Sequence, residues 1–216
     1  MITVNGHNLH LETSGPEKGE PIILLHHGLG SVRSWDAQVP ALAEAGYRVI
    51  AYDRWGYGES VARKQLSMPH FKEDLSDLQA LIELLAAQPT ALLGHSDGGT
   101  IALYFAARRP EWVTALVTVA AHIYIEDKMT PGIESVRKAY EQDSRLREGL
   151  RRRHGDKVEH VFWGWYKGWT QQEKLTWDMR PLLPKITSPT LVVQGEMDEH
   201  ATPQHALDIA NAIPNA

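Results

Sequence analysis

Short apolar runs of strand length alternate with longer helical segments, and this alternation limits the fold more than any other feature of the chain. The apolar runs are Ile22–His26, Arg48–Tyr52, Ala91–Leu93, Val113–Val119 and Thr190–Gln194. The helical segments are Trp35–Ala45, Phe71–Ala87, Thr100–Arg108 and Gln204–Ala212. Runs this short and apolar are typical of strands buried on both faces. The order therefore predicts an α/β fold, with a mostly parallel sheet flanked by helices on both faces.

The alternation stops after Ala121 and resumes at Thr190. Between these points the chain is helical, charged and aromatic, without a buried strand. We therefore expect residues 1–122 to form the first part of the core and residues 123–184 a short helical lid. Residues 185–216 are expected to form an incomplete C-terminal part of the core. At the other end, Asn5-Gly6 predicts a type I′ hairpin turn between Ile2–Val4 and His7–Thr13.

Composition excludes several classes of protein. The chain has 216 residues, a net charge of −5 and no basic stripe, so nucleic acid is not expected as a partner. It has no cysteine, which excludes disulfides and a cysteine nucleophile. Its first residues lack a signal-peptide pattern, and no apolar run is long enough to span a bilayer. We expect a cytoplasmic protein without membrane contact.

The segment Gly94-His95-Ser96-Asp97-Gly98 has the pattern G-x-S-x-G. An apolar strand precedes it and a helix follows it. Such a strand-to-helix turn is so tight that its serine takes strained backbone angles. The turn places the Ser96 hydroxyl above the sheet, at the positive end of the helix. We therefore interpret Ser96 as a nucleophile rather than as part of a simple glycine-rich turn.

Acyl transfer from such a serine needs hydrogen-bond donors for the oxyanion. One expected donor is the backbone N–H of Asp97, directly after the nucleophile. The other lies in the loop His26-His27-Gly28-Leu29-Gly30, where the backbone N–H of Leu29 is the candidate. We interpret His27 as a brace of this loop, not as a proton-transfer group.

An acidic loop, Gly195-Glu196-Met197-Asp198, follows the last apolar run. A carboxylate at the C-terminal end of a strand, after the nucleophile in chain order, fits the acid that orients a catalytic base. Asp198 is the candidate, and Glu196 and Glu199 are its rivals. The alternative interpretation is a solvated acidic loop.

Together these features resemble the α/β-hydrolase family over nearly the whole chain. The run from Asp53 to Ser60 adds to the match, because it is similar to the D-x-R-G-x-G-x-S turn of that family. Ser96-Asp97-Gly98-Gly99 and the run from Ala121 to Asp127 resemble the biphenyl-hydrolase-like (valacyclovir hydrolase) subgroup. The resemblance implies hydrolysis of esters, among them amino-acid esters, under a helical lid. It also implies that Asp97 contacts a substrate ammonium; the alternative is that Asp97 braces the turn.

The family resemblance implies a catalytic histidine in a loop after one more strand, followed by a closing helix. The sequence ends at Ala216, directly after the Gln204–Ala212 helix. We therefore expect a chain shortened at its C-terminus, with the last strand and helix missing, and inactive or impaired as it stands. An unpaired edge at Thr190–Gln194 would allow a homodimer through the sheet.

Other histidines are poor substitutes for this base. His95 is expected to point into the scaffold, and His200 is too close to Asp198 in sequence to lie between Asp198 and Ser96. His205 is expected on an exposed helix face. His122, at a strand end above the sheet, is the least implausible. We therefore name no catalytic histidine.

The predicted lid is rich in aromatic residues around Phe162-Trp163-Gly164-Trp165-Tyr166. Most of these are expected to pack the lid against the core. Trp163 and Trp165 are the candidates for a pocket wall over Ser96.

The leading prediction is a serine hydrolase, a carboxylesterase-like enzyme that cleaves small apolar, aromatic or amino-acid esters through an acyl-enzyme at Ser96. We expect no metal and no organic cofactor, since the residues show no metal-ligand spacing. Amidases, thioesterases and carbon–carbon-bond hydrolases share this machinery. The alternative is a catalytically inactive fold that serves as a binding module or is an inactive fragment.

Overall fold

The computed structural model describes residues 1–66, 68–171 and 176–216. The strands are β1 (Ile2–Val4), β2 (His7–Leu9), β3 (Leu11–Ser14), β4 (Pro21–Leu25), β5 (Arg48–Tyr52), β6 (Thr90–His95), β7 (Val113–Val119) and β8 (Thr190–Val193). The α-helices are α1 (Gln38–Glu44), α2 (Lys72–Leu84), α3 (Asp97–Arg108), α4 (Met129–Gln142), α5 (Ser144–His154), α6 (Val158–Thr170) and α7 (Gln204–Ala212). Short 3₁₀ helices cover Val32–Trp35, Pro110–Trp112, Gly155–Lys157 and Arg180–Lys185.

Six strands form one sheet in the order β3-β5-β4-β6-β7-β8. Strand β3 is antiparallel to β5, and the other pairs are parallel. The prediction of a mostly parallel sheet is confirmed. Because parallel strands end on one edge, Leu25 pairs with Gly94 and His95 pairs with Val119 at the carboxyl edge of the sheet. The loops after β4, β6, β7 and β8 therefore lie side by side.

The sheet separates two apolar layers. Ile23 and Leu25 belong to the larger core cluster, whereas Ile22 and Leu24 belong to a smaller cluster on the opposite face. This follows from the alternation of side chains along a strand. Trp35 and the inner side chains of α1 cover the smaller cluster, while α2, α3 and the later helices cover the larger one. Helices on both faces of the sheet are thus confirmed.

Several element boundaries differ from the sequence prediction, by three residues at the end of α2, for example, and by one or two at the ends of β4, β6 and β8. The helix predicted over Trp35–Ala45 is divided into the 3₁₀ turn Val32–Trp35 and α1, which begins at Gln38. The Ser31 hydroxyl accepts a hydrogen bond from the backbone of Arg33 and so begins the 3₁₀ turn. Helix α3 begins at Asp97, three residues earlier than predicted, because it starts directly after Ser96.

The strand predicted over His7–Thr13 is interrupted at His10. The backbone N–H of His10 donates to the hydroxyl of Ser60, and its carbonyl accepts from the backbone of Asp53. These bonds take His10 out of the β1–β2 hairpin and direct β3 into the main sheet. The hairpin turn itself has positive φ at Asn5 (47°) and Gly6 (84°), as a type I′ turn requires.

Residues 123–184, called the helical insertion below, connect β7 to β8 and contain α4, α5 and α6. The prediction of a lid also covers residues 172–175, which lie outside the described residues. Phe162, Trp165 and Trp169 of α6 are buried and join the larger core cluster. Phe162 stacks on Tyr140 of α4, with ring centroids 3.7 Å apart. Aromatic packing therefore fixes α6 both to α4 and to the core.

Strand β8 lies at one end of the sheet order. Its side chains Leu191 and Val193 are 59% and 42% exposed. The backbone N–H of Thr190 donates to the carbonyl of Asn215 beyond α7, which covers the start of the strand. Pairing of this edge with a second copy stays a prediction.

Across the described residues, no helix is long and apolar enough to cross a membrane.

Helix α3 approaches the sheet so closely that only glycine fits at its first turn. A Cβ atom on Gly98 would lie 1.9 Å from the carbonyl oxygen of Leu25, and one on Gly94 would lie 2.3 Å from the carbonyl oxygen of Gly98. Both neighbours are backbone atoms, which cannot rotate away. The two glycines therefore set the distance between α3, β4 and β6.

We expect Gly98→Ala to lower the free energy of unfolding by about 2–4 kcal/mol, the range of severe core substitutions, because the backbone of α3 or β4 must move. Gly149→Ala in α5 is the matched control. A Cβ atom there meets only the flexible end of Arg152 at 3.9 Å, so alanine should stabilise the helix by up to about 1 kcal/mol. Urea unfolding of both variants checks this. Equal effects of the two substitutions would contradict it.

Candidate active site

Ser96 occupies the turn between β6 and α3 with φ 53° and ψ −118°. Non-glycine residues rarely adopt this region, so the turn is strained. The backbone N–H of Ser96 donates to the carbonyl of Val119 (2.8 Å), and its own carbonyl accepts from the backbone of Thr100 (3.0 Å). Within the described residues the Ser96 hydroxyl makes no hydrogen bond, and it faces a cavity. The structure thus supplies a fixed backbone and a free hydroxyl.

The cavity above Ser96 has a volume of about 250 Å³. Its walls come from the loops after β4, β6, β7 and β8 and from helices α4 and α6. The lining residues are His27, Gly28, Leu29, His95, Ser96, Ala120, His122, Val136, Trp165, Asp198 and His200. Ser96, Asp198 and Leu29, which the sequence analysis proposed separately, therefore share one cavity.

The loop after β4 is held by three histidines. His26 donates from Nδ1 to the carbonyl of His27 (2.8 Å) and accepts at Nε2 from the backbone of Arg54 (3.1 Å). The Nδ1 atom of His27 accepts a long 3.3 Å hydrogen bond from the Leu29 N–H. Burial, together with the nearby His95, lowers the pKa of His27 to about 3. His27 is thus neutral and braces the loop.

His154, at the end of α5, holds the same loop from the helical insertion. Its Nδ1 accepts from the backbone of Gly58 (3.0 Å), and its Nε2 donates to the carbonyl of Leu29 (3.2 Å). Burial lowers the pKa of His154 to about 4, although the bond to Leu29 opposes this shift. This role of His154 could not be predicted, because nothing in the arginine-rich run before it indicates such a contact.

As the first residue of α3, Asp97 has a backbone N–H without an acceptor inside the helix. Its side chain is fully buried and does not line the cavity. One carboxylate oxygen accepts from Nε1 of Trp169 (3.1 Å), and the other lies 3.6 Å from the guanidinium of Arg54. Burial raises the pKa of Asp97 to about 6, although Arg54 and Trp169 oppose this shift.

Arg54 connects this carboxylate to a second one. Its guanidinium lies 3.3 Å from Asp74, which also pairs with Arg63 at 2.9 Å. Arg54 also lies over the ring of Tyr57, 4.3 Å from the centroid. These charged side chains are all buried. They form a continuous series of ion pairs that begins at Asp97, the residue after Ser96.

Asp198 is the side chain of the acidic loop that lines the cavity; its rivals Glu196 and Glu199 are exposed. Oδ1 of Asp198 accepts from the backbone of His200 (2.8 Å) and Ala201 (3.1 Å), and Oδ2 accepts from the Gln194 amide (2.9 Å). Burial alone would raise the pKa of Asp198, but the two backbone N–H groups, together with the nearby rings of His122 and His200, hold the pKa below its usual value. The group is a carboxylate at neutral pH.

Two expectations about histidines were wrong. His95 does not point into the scaffold but lines the cavity, with its ring 5.2 Å from that of His27. His205 is not exposed but fully buried, because its Nδ1 accepts from the backbone of Ile123 (3.2 Å) and its ring stacks on Tyr124. Among the four histidines that line the cavity, none donates a ring N–H to Asp198.

The two tryptophan candidates for the pocket wall lie at different sites. Trp165 lines the cavity and packs directly on Gly28, where a Cβ atom would lie 2.3 Å from the indole ring. Trp163 lies elsewhere on α6, and its Nε1 donates to Glu159 (2.9 Å).

No group of three or more histidine, aspartate or glutamate residues in the described ranges is arranged to hold a metal ion.

Comparison with known proteins gives a consistent result. A family model of the alpha/beta hydrolase fold matches residues 20–177. The human protein Serine hydrolase BPHL is 31% identical over 210 residues, which are 95% of this chain and 72% of that protein. Epoxide hydrolase B from Mycobacterium tuberculosis is 32% identical over 56% of this chain and 34% of its own length. The enol-lactonase from Burkholderia xenovorans superposes with a TM-score of 0.77 at 24% identity, covering 99% of this chain and 87% of that structure.

His122 gives a prediction for pH. Burial, with His205 nearby, lowers its pKa to about 3, whereas an unfolded histidine titrates near ~6.5. The unfolded state thus binds more protons between these values, so the stabilisation is complete above pH ~6.5 and is lost as the pH falls towards ~3. In His122→Asn, the loss of unfolding free energy between pH ~7.5 and ~5 should be smaller by about 2 kcal/mol.

Urea unfolding at both pH values measures this difference. His160→Asn, at an exposed position of α6, is the control and should keep the wild-type difference. If His122→Asn kept the wild-type pH dependence of the unfolding free energy, the pKa of His122 would not be lowered in the folded protein.

Proposed function

Since the chain belongs to the alpha/beta hydrolase fold family of hydrolytic enzymes, we propose that it is a serine hydrolase that cleaves carboxylic esters through an acyl-enzyme at Ser96. One observation carries the proposal. The unbonded hydroxyl of Ser96, on a strained turn at the start of a helix, shares a cavity with the ionised Asp198. The turn directs the hydroxyl at substrate, and the helix start favours negative charge beside it.

In the proposed reaction, the Ser96 oxygen attacks the ester carbonyl while a base removes its proton. The oxyanion accepts hydrogen bonds from the backbone N–H groups of Asp97 and Leu29. The Asp97 N–H is free for this purpose, and that of Leu29 is held only by the long bond to His27. The protonated base then gives its proton to the leaving alcohol, and water releases the acid from Ser96.

Asp198 has the charge that would orient an imidazole base and stabilise the imidazolium. Two of the cavity histidines are poorly suited to be that base. A ring with a pKa of about 3, as in His27 and His122, is a weak base at neutral pH. We therefore assign Asp198 the orienting role and exclude His27 and His122 as the base.

The walls of the cavity indicate the substrate class. Leu29, Val136 and Trp165 supply apolar surface, and the volume of about 250 Å³ holds about eight water volumes. We propose a small apolar or aromatic acyl group. An amino-acid ester is a weaker candidate, because the Asp97 carboxylate does not line the cavity and is held by Arg54 and Trp169. We propose that this carboxylate braces the turn.

A second function is favoured by a different observation. Within the described residues no cavity histidine is bonded to Asp198, so the chain would also suit a binding module that holds an ester or acid without cleaving it. The two proposals differ in the reactivity of Ser96.

Reaction with a fluorophosphonate separates them. We expect the protein to be labelled at Ser96, as located by peptide mass spectrometry, and Ser96→Ala to stay unlabelled. Asp198→Asn should label roughly 10³-fold more slowly or worse, because the base loses its orienting charge. Glu196→Gln, at an exposed position of the same loop, is the matched control and should label at the wild-type rate.

A folded wild-type protein that stays unlabelled would exclude the serine hydrolase and leave the binding module. A panel of p-nitrophenyl esters then tests the substrate class. Butyrate and benzoate esters should be cleaved faster than amino-acid esters, and the reverse order would return Asp97 to the role of an ammonium contact.

A further inference from the structure

The loop that carries Asp198 is held in place by contacts from the helical insertion. Helix α7 follows this loop and begins at Gln204, with Pro203 as its N-cap. No side chain of its own caps the helix, and its first turn has no acidic residue. The N–H groups at a helix start need acceptors and favour negative charge. The backbone N–H of His205 donates to the carbonyl of Thr202 (3.3 Å), so the position of Thr202 affects the start of the helix.

Glu126, 76 residues earlier in the sequence, binds Thr202. Its carboxylate accepts from the backbone N–H of Thr202 and from the Thr202 hydroxyl (3.0 Å). The same carboxylate lies 3.5 Å from Nε2 of His205 in the first turn of α7. The Glu126 side chain is 18% exposed, so solvent screens these bonds only in part. Glu126 thus fixes Thr202, which lies directly before the N-cap Pro203, and its carboxylate lies beside the first turn of α7.

Further contacts fasten the same two segments. Lys128 donates from Nζ to the backbone carbonyl of Asp198. Helix α4 lies so close that a Cβ atom on Gly132 would be 2.3 Å from the carbonyl oxygen of Glu199. Residues 126–132 therefore hold residues 198–202 at both ends and along the middle.

The direction of the Asp198 carboxylate depends on this loop. Its Oδ1 atom is held by the backbone N–H groups of His200 and Ala201, which directly precede Thr202. If Thr202 moves, these donors move with it. Glu126 itself does not line the cavity.

We propose that Glu126 is a positioning residue for Asp198, which it holds in the catalytic orientation by fixing the backbone of residues 198–202. This inference rests on the proposed function, because it assumes that the orientation of Asp198 sets the reactivity of Ser96. A positioning residue outside the cavity changes the rate of the chemical step and leaves substrate binding as it was.

The test compares Glu126→Ala with Glu126→Gln and with the control Glu134→Ala. Glu134 lies in the same helical insertion, where it pairs with Arg137 and accepts from Tyr166, but it does not contact the loop. We expect Glu126→Ala to lower kcat for a p-nitrophenyl ester by about 10- to 100-fold with KM unchanged. Glu126→Gln, which keeps an acceptor for the Thr202 N–H, should recover most of this loss. Glu134→Ala should keep the wild-type kcat.

Two further readouts separate positioning from a general loss of stability. Deuterium exchange should be faster in Glu126→Ala for peptides that contain residues 198–202 and unchanged in β4 and β6. In an Asp198→Asn background, Glu126→Ala should have no further effect on kcat, since the residue it acts through is gone. Faster exchange with unchanged kcat, or an equal loss of kcat in both backgrounds, would overturn the proposal.

Failure of the proposed function gives a different result. An unlabelled, inactive wild-type protein overturns the assumption about Ser96 and, with it, the catalytic part of this inference. The exchange experiment needs no activity. Unchanged exchange at residues 198–202 in Glu126→Ala would show that Glu126 does not fix this loop, whether or not Ser96 reacts.

Discussion

The near contact between the first turn of α3 and the end of β4 determines most of the site. Gly98 lies against the carbonyl of Leu25 with no room for a side chain, and a Cβ atom on Gly94 would likewise overlap the backbone of Gly98. This approach forces Ser96 into its positive φ. Because the loop with Leu29 begins directly after β4, the same contact fixes the distance between the serine and the oxyanion donors. Strain at one residue is thus maintained by packing at its neighbours.

Beneath this contact the protein buries charges instead of apolar groups. Arg54 and Arg63 face Asp74 and Asp97, and each carboxylate has a cation within 4 Å. Burying such groups costs free energy that the pairing only partly offsets, so their role is to fix positions. Above them, His27 and His154 are kept neutral by burial and serve as hydrogen-bonding braces. Asp198 is the ionised carboxylate that lines the cavity together with Ser96.

Most of the sheet and the placement of Ser96 could be predicted, because both follow from local patterns. Apolar runs define buried strands, and strands in parallel must end on one edge, which brings Ser96 and Asp198 together. Contacts between distant segments could not be predicted. Nothing near His205 indicates that Ile123 and Tyr124 would bury it. Likewise the sequence around Glu126 does not reveal that it binds Thr202, just before α7.

The error at His95 has a simple physical cause. A residue before the nucleophile alternates with it along β6, which suggested the opposite face. The strand ends at His95, however, and the turn at Ser96 changes the direction of the backbone there, so both side chains reach the cavity. Alternation holds only within a regular strand.

The carboxylate of Asp97 joins parts of the chain that are far apart in sequence. It meets Arg54 after β5 and, through it, Asp74 of α2, while Trp169 brings in α6 of the helical insertion. If α6 separated from the core, this buried carboxylate would lose its hydrogen bond from Trp169. An unsatisfied buried carboxylate costs free energy, so the folded core would be destabilised as well. The helical insertion and the sheet should therefore melt in a single cooperative transition, although they occupy separate stretches of the sequence.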